Sequence, residues 1–431
     1  MWKRWYVVPL ITMLALTACS SKDGGGAQKS TDPVKLLLTS EVGGAAKTID
    51  DLFANAIRKK FPDYEFTYLP GSTKGQSISE QIAQGNKMDY LYSFDVEIFW
   101  MMKKYGLQFD MTPLIKKHKL DLTQFTPGII EGLRASSGGE LYALPLYDQV
   151  FVLFYNKGIF DKFGVPYPRD GMTWDETLAI ARNLTREEDG TRYLGFWAHP
   201  LLFSSNQLSL PLADFKTEAP TFLNDTWKKL LDTYFIQPAR SQTYQTFVKE
   251  KGLPSVGRDF GGGTPQLAMM AMYQSFSAEI PDQLSTIDWD FVSLPTFSDK
   301  PGTGAQPVSV VMGLTSMSKN PDEAMEVLKF LVSEEMQTSF AERGMMTVLK
   351  NDKVKSALGK KTPYPNKNWA SAYYNKNAPT APVTRDWNDL YGSMNSTILP
   401  MIKGEEDMNT LLRRAQELAT KAVAERKASD K

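Results

Sequence analysis

An α/β fold built on a mainly parallel sheet is what the sequence predicts, from three observations. Short apolar runs alternate with amphipathic stretches of helical period, and capping signatures stand where one gives way to the other. The first run, VKLLLTS at 34–40, is short and mostly apolar, as a strand covered on both faces should be. A helix is expected over 47–61, where Ile49, Leu52, Phe53, Ala56, Ile57 and Phe61 recur at three-to-four spacing until Pro62 stops it. Residues 65–68 read as a second strand. Ser77-Ile78-Ser79-Glu80 has the form of a capping box and opens another helix. Residues 89–92 form a third strand, and an apolar helix follows Asp95 and ends near Tyr105-Gly106. Ligands of such sheets gather beyond the C-terminal ends of the strands, which points to Ser40, Glu41, Ser93 and Asp95.

The rest of the chain is richer in helix. Thr173-Trp174-Asp175-Glu176 is a second capping box, leading through Ala179, Ile180 and Leu184. Pro321 suits a first helical position, ahead of Ala324, Val327, Leu328 and Leu331. A last helix over 408–428 carries Leu411, Leu412, Ala415, Leu418, Ala422 and Val423 on one face, the pattern of a helix docked on the body.

Composition excludes several functions. Lys and Arg total 49, as do Asp and Glu, so no long-range field recruits nucleic acid or an anionic membrane. The two histidines, His118 and His199, are too few for a zinc cluster, and no H-E-x-x-H occurs. Gly261-Gly262-Gly263-Thr264-Pro265 lacks the lysine of a phosphate loop and reads as a turn. No catalytic set, metal or cofactor is expected.

At the N-terminus, Lys3 and Arg4 precede a short apolar run over 5–18, an arrangement typical of an export signal. Leu16-Thr17-Ala18-Cys19 resembles a bacterial lipobox, which implies a signal peptide over 1–18 and a lipidated Cys19. Residues 19–33, without a large apolar side chain, read as a flexible tether. Cys19 is the only cysteine, so no disulfide framework is available. Membrane contact is expected through the lipid alone, at the outer face of the cell membrane.

One stretch is specific. Leu141-Tyr142-Ala143-Leu144-Pro145-Leu146-Tyr147-Asp148 runs into Val152-Leu153-Phe154-Tyr155-Asn156-Lys157. Phe160, Phe163-Gly164-Val165-Pro166 and Met172-Thr173-Trp174-Asp175-Glu176 follow, and Met317-Ser318-Lys319-Asn320-Pro321 and Arg343-Gly344 come later. In order and spacing this resembles the extracellular solute-binding proteins of ABC importers, the family that includes the maltose-binding protein. The resemblance implies a two-lobed, periplasmic-binding-protein-like fold of type II, each lobe a mainly parallel sheet flanked by helices. It implies a cleft that closes by hinge motion about crossings near 147–150, 306–308 and 345–348. The N-terminal lobe would hold 34–147 and 308–345, and the C-terminal lobe 148–307 and 346–431.

Sugars offer apolar C–H faces ringed by hydroxyls, so they call for aromatic platforms and charged or amide partners. Candidate ligand contacts are Glu41 and Asp95 at strand ends, and Tyr147, Asp148 and Gln149 at the first crossing. Asp95 could equally cap a helix, and Asp148 could equally hold a buried structural bond. Trp197, and Trp387 with Tyr391 four residues on, are aromatic candidates for which core packing is the alternative. The family's Gly-Pro-Trp platform is missing, because the chain reads Met272-Tyr273-Gln274-Ser275-Phe276 there. Tyr273 or Phe276 would substitute, or Gln274 and Ser275 would meet hydroxyls. The expected function is a monomeric substrate-binding lipoprotein that captures a carbohydrate, an oligosaccharide by preference, and delivers it to the transmembrane subunits of an ABC permease. The competing readings are a secreted glycoside hydrolase and a receptor for a polyamine, phosphorylated solute or metal.

Overall fold

Nine strands make two main sheets in the computed structural model, which describes residues 33–41 and 45–429. The signal segment, Cys19 and residues 20–32 of the tether lie outside the described residues. In chain order the strands are β1 (Val34–Ser40), β2 (Tyr64–Pro70), β3 (Tyr90–Phe94), β4 (Leu144–Gln149), β5 (Phe151–Asn156), β6 (Trp197–Ala198), β7 (Met269–Tyr273), β8 (Trp289–Ser293) and β9 (Val308–Leu314). The first sheet has the order β2-β1-β3-β9-β4 and the second β8-β5-β7-β6.

Each sheet runs one way except for a single inserted strand. β1 is parallel to β2 and β3, whereas β9 is antiparallel to both β3 and β4. In the second sheet β5 is antiparallel to β8 and β7, while β6 and β7 are parallel. The inserted strands are linked to the way the chain changes sheet. β4 and β5 are one extended segment with only Val150 between them, so the strand that leaves the first sheet enters the second between two strands of opposite sense.

Both faces of the first sheet are covered, which is why its strands read as apolar runs rather than alternations. Leu36, Leu38, Tyr90, Val310 and Met312 face one cluster with Phe53 and Leu328. Leu91 and Val311 face the other, with Ile78, Met88 and Met102. The second sheet carries its own cluster, with Phe154, Trp174, Phe203, Trp227 and Trp289 among its largest members.

Both predicted capping boxes form, at Ser77 with Glu80 and at Thr173 with Glu176. The helix expected over 47–61 is present with a π-helical turn at Asp50–Ala54 between Ala46–Ile49 and Asn55–Lys60. In the last helix, Met408–Ser429, the buried line is Leu411, Leu412, Ala415, Ala419 and Val423. Leu418, expected on that face, is exposed, because the buried row follows a strict spacing of four from Leu411.

A fold-level prediction concerns Gly313, in the inserted strand β9. A Cβ there would lie 2.2 Å from the Tyr142 carbonyl oxygen and 2.5 Å from the Met102 methyl. Gly313→Ala should therefore lower unfolding free energy by about 1–3 kcal/mol through overpacking. Urea denaturation measures it, and a midpoint equal to wild type would contradict the packing.

Candidate binding cleft

Two adjoining cavities, of ≈ 230 and ≈ 650 Å³, lie beside the ends of β3, β4 and β9, joined in the smaller by Tyr273 at the end of β7. They share Val96, Pro307, Thr380, Ala381 and Val383 in their linings. The larger is walled by the first turn of the helix Asp95–Tyr105, the helix Ile129–Ser136, and the crossing residues Asp148 and Ser309. The smaller is walled by Glu97, Gln149, Tyr273, Gln306 and the helix Trp387–Asn395.

The acidic wall begins where β3 ends. Asp95 is the first residue of its helix rather than the capping residue before it, and Phe94 at that position makes no side-chain cap. The Asp95 carboxylate accepts the Val96 N–H at 2.9 Å and a bond from the Ser309 backbone N–H. A carboxylate at a helix N-terminus also meets the positive end of the macrodipole. Asp148, in β4, is 5% exposed and accepts the Ser309 hydroxyl at 2.6 Å. One residue of β9 therefore holds both acids. Burial, with the neighbouring Asp148, pushes the Asp95 carboxyl up to about 7. Burial pushes Asp148 up to about 7 as well, against the lowering pull of the Ser309 hydroxyl. Glu97 is raised by burial, opposed by bonds from Ser93 and Asn388.

The aromatic wall is a stack of three rings. Trp387 and Tyr391 are one helical turn apart, with ring centroids 5.3 Å apart and planes within 11°. Tyr391 lies in turn on Phe203, at 5.1 Å and 16°. Phe203 is fully buried, so the stack is anchored in the second core while Trp387 stays half-buried at the cavity. The residue before this helix, Asp386, is 3% exposed and takes a bidentate pair from Arg426, at 2.9 and 2.8 Å. That pair fixes the last helix against the start of the aromatic one, and Arg426 also reaches Glu218 at 2.7 Å. Tyr273 sits near these rings at the end of β7, 4.3 Å from Phe151, with its hydroxyl 3.4 Å from that of Ser205.

Amides hold the floor. Gln149 donates to the Ser275 hydroxyl at 2.8 Å. Gln306 donates to the Asn206 carbonyl at 2.9 Å and accepts the Ala381 N–H at 2.6 Å. A segment at 376–384 crosses beside both cavities, and the Trp100 indole donates to its Val383 carbonyl at 3.3 Å.

Six of the ten predicted contacts thus line the cavities: Asp95, Asp148, Gln149, Tyr273, Trp387 and Tyr391. Four do not. Glu41 is exposed and accepts the Tyr105 hydroxyl at 2.8 Å. Tyr147 points into the first core and shares a 2.6 Å hydrogen bond with Tyr92. Trp197 is buried in the second core, edge-on to His199 at 5.5 Å. Gln274 accepts the Val150 N–H at 2.8 Å and is fully buried. The cavities also recruit Glu97, Ser205, Gln306 and Ser309, which sequence reasoning did not name as contacts. Glu97, two residues past a nominated strand end, and Gln306, at a nominated crossing, were within reach of that reasoning.

With this geometry in place, similarity to known proteins is informative. The family described as bacterial extracellular solute-binding protein matches residues 42–338. Over 168 residues the chain is 29% identical to the mannitol-binding protein of Pseudomonas aeruginosa, a match spanning 37% of each protein. A sugar transporter of Rhizobium etli in an open conformation superposes with a TM-score of 0.69 at 21% identity, covering 90% of this chain and 99% of that one. A substrate-binding protein of Listeria monocytogenes in complex with cycloalternan gives 0.68 at 19%, covering 91% and 100%. A solute-binding protein of Agrobacterium vitis with bound D-mannitol gives 0.61 at 17%, covering 91% and 98%. At these identities the likeness speaks for the fold, a two-lobed, periplasmic-binding-protein-like architecture.

The raised acids predict a pH effect on the empty protein. A carboxyl whose folded pKa exceeds its unfolded one weakens the fold as pH rises from the unfolded value through the folded value, here from about 4 to about 7. Asp148→Asn removes that loss at one group. Urea denaturation should show the variant gaining on wild type across this range and holding the gain above it. A difference independent of pH would contradict the assignment.

Proposed function

The chain belongs to the bacterial extracellular solute-binding protein family, and from that premise we propose that it captures a carbohydrate between its two lobes and hands it to the transmembrane subunits of an ABC importer. The observation that carries the carbohydrate is the three-ring stack facing acids and amides across adjoining cavities. Stacked rings offer an apolar face to sugar C–H groups, and carboxylates and amides accept and donate to the hydroxyls around it. Proteins of the same fold that hold cycloalternan or D-mannitol support the class. Two adjoining cavities suit a solute of more than one ring.

The lobes in this reading are 34–147 with 308–345, and 148–307 with 346–431. Supporting it, β4 and β5 change sheet across Val150, β9 begins at Val308, and Asp148 bridges to Met346. The walls close on the solute about these three crossings. Asp95, Asp148, Gln149, Tyr273, Trp387 and Tyr391 contact it, while Tyr147, Trp197 and Gln274 support the walls from behind.

The family is one of binding proteins, not enzymes. A hydrolase needs carboxylates on either side of a scissile bond, whereas Asp95 and Asp148 meet on one residue of one wall.

Lipidation at Cys19, after removal of 1–18, would hold the protein, as a monomer, at the outer face of the membrane. Each buried CH₂ of the acyl chains contributes about 0.8 kcal/mol. Among the described residues no helix is long and apolar enough to cross a membrane. Cys19→Ser should move the protein from the detergent phase to the aqueous phase in a cloud-point partition, and an unchanged distribution would refute the anchor.

A thermal-shift panel of oligosaccharides and alditols should yield a stabilising ligand. Trp387→Ala should then weaken its binding by about tenfold at a similar melting temperature of the empty protein, as loss of an aromatic contact implies. Silence across carbohydrates with a strong shift from another class would overturn the proposal.

A further inference from the structure

The chain as a whole is electrically balanced, but its cleft is not. Asp95, Glu131 and Asp148 line the larger cavity and Glu97 the smaller. Among the described residues, Lys376, exposed, is the single cationic side chain in either lining, and no arginine is among them. All four acids accept hydrogen bonds within the protein. Glu131 caps the Gly128 N–H at 3.0 Å, and Glu97 accepts from the Ser93 hydroxyl at 3.1 Å. Asp95 and Asp148 differ from them. Asp148 is 5% exposed and Asp95 half-buried, and the two are held together by Ser309, through its N–H to Asp95 and its hydroxyl to Asp148. Among the described residues no lysine or arginine pairs with either. The other titratable groups that sense them are the Tyr273 hydroxyl, beside Asp95, and the Tyr373 hydroxyl, beside Asp148. Both are neutral phenols raised by burial.

Two desolvated carboxyls on one residue, without a counter-charge, are costly unless each is protonated or meets a cation. A neutral sugar can donate hydroxyls to them and leaves the charge uncompensated. An ammonium group brings a positive charge and three N–H donors at once. We infer that the solute is an amino sugar whose ammonium group sits against Asp95 and Asp148 while its ring lies toward the Trp387–Tyr391 stack. This rests on the carbohydrate reading above and narrows it. In the empty cleft both acids, raised to about 7, are partly protonated at neutral pH. Arrival of the ammonium ionises them, so binding releases protons to the buffer.

Calorimetry on the purified full chain at pH 7 tests this. The probes are glucosamine, galactosamine and mannosamine, with their dimers, N-acetylated forms, neutral hexose counterparts, and putrescine. At least one amine-bearing sugar should bind about tenfold or more tighter than both its N-acetylated and neutral counterparts, the scale of a charge-assisted bond. Its binding heat should differ between phosphate and Tris by the signature of proton release. Asp95→Asn and Asp148→Asn, each checked for folding by its melting curve, should abolish that preference. Tighter binding of neutral sugars, or a preference that survives in both folded variants, would overturn the amino-sugar inference and leave carbohydrate capture standing. Binding of putrescine but no sugar, or of none of these probes and no member of the wider carbohydrate panel, would overturn both.

Discussion

Everything in this fold hangs on the two strands of the first sheet at which the chain leaves for the second sheet and returns from it. β4 and β9 pair antiparallel at one edge of the first sheet, with a shift of register at Val310–Val311. β4 runs into the second sheet with only Val150 between, and β9 brings the chain back to the first sheet after the stretch 294–307. A backbone that leaves one ladder and enters another passes through positions where no neighbouring strand can satisfy it, and buried N–H groups do not go unpaired. The molecule answers with side chains and a third segment. The Gln274 carboxamide takes the Val150 N–H, and Met346 takes that of Asp148. Ser309 ties Asp148 back to β9. The floor of the cleft is therefore a set of polar bonds imposed by the crossing itself.

That constraint explains why the two walls differ in chemistry. The first sheet presents strand ends and a helix N-terminus at the cleft, and these are places that favour carboxylates. The second presents a helix face and the end of β7, where rings four apart can stack and a buried phenylalanine can anchor them. Among the described residues neither wall has an arginine to balance the acids. The arginine nearest to the aromatic wall in function, Arg426, acts behind it, locking Asp386 and so the helix that carries Trp387.

Much of this was legible in the sequence where local rules dominate. Ser77 with Glu80 and Thr173 with Glu176 marked helix starts because a capping box is a reciprocal bond between residues three apart. The Trp387–Tyr391 spacing placed two rings on one helix face, and the strand-end rule brought Asp95 to the cavity. Tertiary choices were not legible. Tyr147 and Asp148 are neighbours in a strand, so their side chains take opposite faces, one to the core and one to the cavity. Nothing in the sequence says which. His118 stands among lysines in the sequence, yet its ring bonds Asp322 at 2.8 Å and Glu326 at 2.6 Å on a helix some two hundred positions away. Gln274 stood where a ligand amide was expected, but the crossing needed its carboxamide first.

Hydrogen–deuterium exchange with and without a stabilising sugar tests the central claim most directly, that solute is held between the two sheets. Slower exchange is expected together at 94–97, 148–150, 306–309 and 384–391, stretches that are distant in sequence and meet only at the cleft. Protection confined to one of them, or appearing on surfaces away from all four, would contradict the account.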